Sequence, residues 1–266
     1  MKKSRYEAAI EAVKLGRACL LGYFGKIHNI ESKDKLGLVS EADRESERII
    51  QHYLQQHCPD VDFLGEETTF AENLHLSRQQ KGARWILDPL DGTTNYIHQF
   101  PIFCISLALE VDGLIELGIV DVPMLDQTFV AERGKGTFCN GKRVSVSKTE
   151  KFSEALLATG FSTEIPELIA DQIQIFSSMV KETRGIRRAG AAAYDIALVS
   201  SGVFDLFWER NLKPWDTAAG QLLVEEAGGI VRTFTGQPFH PFESTVVAGN
   251  ASLVEQFLEK IQNLKI

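Results

Sequence analysis

The sequence predicts a layered α/β protein (α+β in some classifications), with strands and helices mixed along the chain. Three observations lead there. Apolar residues at helical spacing open and close the chain. From Cys104 to about residue 150, short strand-like segments are separated by Asp112-Gly113 and Asn140-Gly141 turns. Beyond that point, strand-like and helix-like segments alternate.

The elements follow in order. Tyr6, Ala9, Ile10, Val13, Leu20 and Phe24 recur on one helical face, predicting a helix over residues 4–24. A loop with Gly25, Lys33 and Gly37 comes next. Ser40 is placed to N-cap a second helix, SEADRESERIIQHYLQQH, with Asp43 three residues later as in a capping box. Cys58-Pro59 ends it. VDFLGEE and RWILD each read as a strand running into acids, with the polar loop AENLHLSRQQKG between them. CISLALEV, LIELGIVDV and QTFVAE read as successive antiparallel strands, and Asn140-Gly141 closes a further hairpin. After residue 150 come ALLATGF (strand), PELIADQIQIFSSMVKE (helix), AAYDIALVSSG (helix) and VFDLFWE (strand). TAAGQLLVEEAG (helix), GIVRTF and STVVAGN (strands) and ASLVEQFLEKIQ (helix) complete the chain. Repeats and low-complexity stretches are absent. The expected division is soft: residues 1–150 as an α+β half and 151–266 as an α/β half.

Composition removes several classes of function. The chain has 266 residues, 44% hydrophobic and 24% charged, with a formal charge of −8. That composition is globular, and the negative charge argues against nucleic acid as the main partner. Cys19, Cys58, Cys104 and Cys139 are widely spaced with no CxxC, against a zinc knuckle or a dense disulfide framework. No apolar run approaches the ~18 residues of a membrane span, and MKKSRYEAAIEAVK lacks the apolar core of a signal peptide. The expectation is a cytoplasmic protein with no membrane partner.

The chemistry lies in the acids. Glu66-Glu67, Asp88/Asp91 and Asp216 stand at strand ends or helix starts, and Asp43 is a fourth candidate. Burying carboxylates together is costly unless cations compensate. Oxygen donors without His or Cys suit hard ions such as Mg²⁺. Pro89 stiffens the DPLD turn, and Gly92-Thr93-Thr94-Asn95 can open a helix whose free N–H groups could take a phosphate. Each piece alone reads more simply as a capped turn. Together they point to metal-assisted phosphate-ester chemistry.

WILDPLDGTTNYIH and WDTAAGQLLVEEAGG resemble the two signatures of the inositol monophosphatase family, with LGEE, LVSEAD and ERGKGTFCNGKRV falling where the family carries its other landmarks. The resemblance implies the αβαβα sugar-phosphatase fold and Mg²⁺-dependent, lithium-sensitive hydrolysis of a small-molecule phosphate monoester by a homodimer. It places Glu66, Asp88 and the Leu90 carbonyl at a first Mg²⁺, and Asp88, Asp91 and Asp216 at a second. Glu66 and waters would hold a third ion, and Mn²⁺ is an alternative metal. Glu66, Thr93 and Asp43 become the catalytic set, with Asp43 orienting Thr93 toward the nucleophilic water. Asp91, Gly92, Thr93, Gly190, Ala191, Ala192, Glu209 and Asp216 become the substrate contacts, although Ala191 lacks the hydroxyl of animal enzymes. Glu67 and Lys33 are secondary candidates, and Lys213 could assist an anionic substrate. Arg187 and Arg188 read as solvated charge. Phe204, Phe207 and Trp208 read as core, and the six histidines show no ligand spacing. Myo-inositol monophosphate is the expected substrate. Fructose 1,6-bisphosphate, histidinol phosphate and adenosine 3′,5′-bisphosphate are alternatives, as is a regulatory role beside the transcription or translation machinery.

Overall fold

The computed structural model describes residues 3–26, 30–32, 38–72, 76–78, 81–161 and 165–264. In chain order the elements are α1 (Arg5–Tyr23), β1 (Ile30–Ser32), β2 (Leu38–Ser40), α2 (Glu41–His57), β3 (Asp62–Gly65), α3 (Glu66–Glu72), β4 (Ala83–Asp91) and α4 (Thr93–Ile97). Then come β5 (Cys104–Val111), β6 (Leu114–Val122), β7 (Gln127–Glu132), β8 (Gly136–Cys139), β9 (Lys142–Arg143), β10 (Leu156–Thr159) and α5 (Glu167–Val180). The last are β11 (Gly185–Arg187), α6 (Ala192–Ser200), β12 (Leu206–Arg210), α7 (Pro214–Glu226), β13 (Ile230–Arg232), β14 (Thr245–Gly249) and α8 (Ala251–Gln262).

These elements stack as α/β/α/β/α, the expected layering. A seven-stranded sheet runs β3-β4-β5-β6-β7-β8-β9, and a five-stranded sheet runs β11-β10-β12-β14-β13. In the first sheet only β3 and β4 are parallel; its hairpins turn at Asp112-Gly113 and Asn140-Gly141, all four residues at positive φ. Helices α1 and α2 cover one face through Ala12, Leu20, Ile50 and Leu54 against Trp85, Leu87, Ile105 and Leu107. Helices α6 and α7 fill the space between the sheets, where Ile196, Trp215, Leu222 and Leu223 meet Ile86, Ala108 and Val120 from one side and Phe207 and Ala248 from the other. Helices α5 and α8 close the outer face with Ile175, Phe257 and Ile261 on Leu157, Leu206 and Trp208.

Local signals explain most boundaries. Ser40 caps α2, and its backbone N–H reaches Asp43 in the expected capping box. The structure adds four elements to the sequence reading. Strands β1 and β2 pair antiparallel where the sequence suggested only a loop. Strand β11 is a three-residue edge strand, too short to show alternation. Helix α3 starts at the acids of LGEE, where the sequence suggested only a strand end, and carries no apolar stripe of its own.

Candidate metal centre

Strand β4 alternates its side chains: Trp85 and Leu87 enter the α1/α2 core, and Ile86 enters the middle layer. Strict alternation would send Asp88 and Asp91, three residues apart, to opposite faces. The ladder prevents this. Asp88 pairs with Ser106 and Asp91 with Cys104, so three steps on β4 match two on β5. The bulge falls at Pro89, which has no N–H to give the ladder. Leu90 turns into the α1/α2 core, and Asp91 returns to the side of Asp88.

Asp216 arrives from the first turn of α7, where its Oδ2 accepts the Lys213 N–H at 2.7 Å. Two contacts fix that helix. Ser106 Oγ, from the ladder partner of Asp88, donates to the Trp215 carbonyl at 2.8 Å. Gly118 of β6 leaves room for α7, since a Cβ there would stand 2.6 Å from the Ala219 carbonyl oxygen. Glu66 opens α3, and the first turn of α3 is held from α2. Glu47, 3% exposed, accepts the N–H groups of Glu67 at 2.9 Å and Thr68 at 2.7 Å, and the Thr68 hydroxyl at 2.5 Å. Gly65 is required beside it, because a Cβ would lie 2.5 Å from Glu47 Oε2.

Asp88, Asp91 and Asp216 are all raised, by burial first and with Glu66 among the causes at each. Burial, then Glu66, Asp91 and Asp216, hold Asp88 well above the usual carboxylate range, against one N–H from Leu90 at 2.9 Å. Burial lifts Asp91 to about 7, opposed by the Ala193 N–H at 2.7 Å and the Cys104 thiol at 3.6 Å. Asp216 is raised by burial and by Asp91 and Glu66, with Lys213 opposing. Among the described residues no side-chain cation is a main influence on Asp88 or Asp91. Such a set needs protons or an added cation, and an all-oxygen donor set with the Leu90 carbonyl fits Mg²⁺. Among the described residues no three Asp, Glu, His or Cys side chains already close into a metal cage. The acids stand within electrostatic range of one another but open.

Thr93 sits beside them at the start of α4. Its hydroxyl has two acceptors, Asp43 Oδ1 at 2.9 Å and the Leu90 carbonyl at 3.1 Å. Asp43, 1% exposed, accepts the Ser40 N–H at 2.9 Å and hydroxyl at 2.5 Å on Oδ2; burial, with Glu66 adding, lifts it to about 6. Gly92 precedes α4 at φ 94°, and a Cβ there would approach the carbonyls of Ile102 at 3.1 Å and Gly190 at 3.3 Å. That close approach brings the Gly190–Ala192 turn to the acids.

A cavity of about 170 Å³ opens beside the acids, lined by Asp91, Asp216, Glu209 and the Gly190–Ala192 turn. Glu209 is 8% exposed, and burial pushes it well above the usual range. It fits only because residue 160 is glycine: a Cβ would lie 2.3 Å from both of its carboxylate oxygens. The structure refines two sequence readings. Arg188 is exposed, as expected, and also lines the cavity. Glu67, a secondary candidate, is buried. Sequence reasoning missed Glu47, Asp195 and Asn95, whose Nδ2 donates to the Ile102 carbonyl at 2.7 Å and the Ala189 carbonyl at 2.8 Å. Phe204, Phe207 and Trp208 are core, as expected, and His98 is exposed at the end of α4. Lys33, Gly37, His28 and His75 lie outside the described residues.

The model of the inositol monophosphatase family matches residues 1–265. The Nus factor SuhB of Pseudomonas aeruginosa is 40% identical over 236 residues, covering 88% of this chain and 86% of that protein. The fructose-1,6-bisphosphatase/inositol-1-monophosphatase of Thermotoga maritima is 33% identical, covering 98% and 96% respectively. The crystal structure of the extragenic suppressor protein SuhB from Bartonella henselae superposes with a TM-score of 0.88 at 34% identity, over 97% of this chain and 98% of that one. Among the described residues no helix is long and apolar enough to cross a membrane.

Proposed function

The chain belongs to the inositol monophosphatase family of phosphatases, and from that footing we propose that it hydrolyses myo-inositol monophosphate, or a similar sugar phosphate, with Mg²⁺. The observation that carries this reading is the bulge that gathers Asp88, 2% exposed, and Asp91 with Asp216 and Glu66 into one set of mutually interacting carboxylates. Glu66, Asp88 and the Leu90 carbonyl would hold one ion, and Asp88, Asp91 and Asp216 a second. Glu66 would share a weaker third. Bound there, Mg²⁺ supplies Lewis acidity for activating water and neutralising the phosphate.

The chain's own groups do the rest. The Thr93 proton is directed to Asp43 Oδ1 or the Leu90 carbonyl, so Thr93 Oγ1 offers lone pairs to the attacking water. The N–H groups of Gly92 and Thr93 belong to a first helical turn and have no acceptor within the helix, so they can take phosphate oxygens. Glu209 would accept hydroxyls of the alcohol part. The enzyme would act in the cytoplasm as a homodimer and be inhibited by lithium.

The test is phosphate release, with and without Mg²⁺, from myo-inositol 1-phosphate, fructose 1,6-bisphosphate, histidinol phosphate and adenosine 3′,5′-bisphosphate. The inositol ester should be fastest and Mg²⁺-dependent. Asp88→Asn should lose nearly all turnover while staying folded, and normal turnover in that variant would sink the metal assignment. The similarity to a protein named a Nus factor supports a second reading, a partner role in transcription. It predicts retention of transcription proteins by the purified chain at physiological salt.

A further inference from the structure

Beside Glu209, the cavity wall carries a second buried acid that the reading above does not use. Asp195 lies in the first turn of α6 and is 1% exposed. Its carboxylate accepts the N–H of Ala189. Asn95 Nδ2 holds the Ala189 carbonyl at 2.8 Å, so both backbone polar groups of that residue are fixed. The next residue, Gly190, turns at φ 85°. Asp195 therefore steadies the turn that forms one side of the cavity.

That bond occupies only part of the carboxylate. Asp195 Oδ1 is buried and has no hydrogen-bond partner. An unmet acceptor of that kind is rare and costly in a folded protein unless a ligand supplies the donor. Asp195 lines the same 170 Å³ space as Glu209, Asp91 and Asp216, and Arg188 is the only basic residue among the described ones that line it. The space equals about five or six water molecules at ~30 Å³ each. A second phosphate entering it would meet several carboxylates and one guanidinium. A neutral ring bearing hydroxyls would offer donors to the acids at no electrostatic cost.

We propose that Asp195 is a specificity-determining residue that accepts a hydroxyl of the alcohol opposite Glu209, selecting phosphate monoesters of compact, neutral polyols over bisphosphates and unhydroxylated esters. The inference rests on the phosphatase reading, and the experiment separates the two. Steady-state kinetics with Mg²⁺ compare myo-inositol 1-phosphate with cyclohexyl phosphate, the same ring without hydroxyls, in the parent protein and in Asp195→Asn. Asparagine keeps the shape and can still accept the Ala189 N–H, but it leaves an amide NH₂ where the free acceptor was.

The parent should prefer the polyol ester. Asp195→Asn should lose kcat/KM on the polyol roughly ten- to a hundredfold more than on cyclohexyl phosphate, with the difference in KM. Equal losses on both esters would reduce Asp195 to a brace for the turn and overturn the proposal, as would no loss on either. If the variant fails to fold, the parent decides alone: equal kcat/KM on the two esters overturns the proposal. A parent that hydrolyses both esters but prefers fructose 1,6-bisphosphate also overturns it, leaving the phosphatase reading intact. A parent inactive on every ester removes both.

Discussion

Replacing Glu47 by alanine tests whether the first turn of α3 is held from α2. The carboxylate accepts two backbone N–H groups and one hydroxyl at 2.5–2.9 Å in a site 3% exposed. A hydrogen bond to a charged group contributes about 1.5–3 kcal/mol. Two effects reduce the sum. Burial raises Glu47's proton affinity, so its charge is itself costly to keep. A cleft of about 280 Å³ along Glu47 and Thr68 would also admit water to the freed donors. The net loss should be about 2–4 kcal/mol, or roughly 5–12 °C of melting temperature for a chain of this size. Glu66 adjoins the loosened turn, so affinity for a divalent ion should fall about tenfold or more, as when a metal ligand loses its supporting hydrogen bonds. Calorimetric melting of chelator-treated protein reads the first effect, and Mn²⁺ titration followed by electron paramagnetic resonance reads the second. A variant that melts within about 2 °C of the parent and binds Mn²⁺ equally well would refute the reasoning.

Three further outcomes follow from geometry. Gly160→Ala puts a Cβ 2.3 Å from both Glu209 oxygens on a backbone that needs no positive φ, so KM for a polyol ester should rise with the melting temperature little changed; an unaltered KM would remove Glu209 from substrate binding. Asp43 and Asp91 titrate near 6 and 7 in the fold, above their ordinary range. Raised carboxylates favour the folded state at low pH, and that contribution is lost as pH climbs through the folded values. Chelated protein should therefore melt lower at pH 8 than at pH 5.5, with added Mg²⁺ closing the gap; equal melting without metal contradicts the prediction. Arg84→Met leaves Glu110, 1% exposed, without its guanidinium partner and with only His240 Nε2 at 3.7 Å, and should cost about 3–5 kcal/mol, much of it recovered by adding Glu110→Leu. Chemical denaturation of the single and double variants measures the difference.

Much of this structure is legible in the sequence where the signal is local. Apolar runs bounded by turns give β5 and β6, alternation gives β7, Asn140-Gly141 gives its hairpin, and Ser40 with Asp43 gives the start of α2. The acids stand out because they end apolar strands or begin helices. What escaped depends on partners distant in sequence. Helix α3 has no apolar stripe and is capped by a residue twenty positions earlier. Asp195 looks like one more polar residue on a helix until the Ala189 turn folds over it. Arg188 is exposed, as its charge suggests, but nothing in RGIRRAG shows that the chain just past β11 also lines a cavity. The return of Asp91 to the side of Asp88 is visible only in the pairing of β4 with β5, although a proline within a strand hints at an irregularity.

The bulge at Pro89 also makes the distance between Asp88 and Asp91 a matter of parity. Deleting one residue between them would restore simple alternation, and the shortened segment could still place both acids on one face. Inserting one would make the separation even as well, but four steps paired straight through would set Asp91 opposite residue 102 rather than Cys104, on the right face and displaced along the sheet. Replacing Pro89 with a β-former leaves the count unchanged but gives the strand an N–H with which to pair straight through, turning Asp91 toward the apolar side that now receives Leu90. The short DPLD segment thus carries two separable instructions. Its acids specify which groups meet, and its proline specifies the face on which they meet.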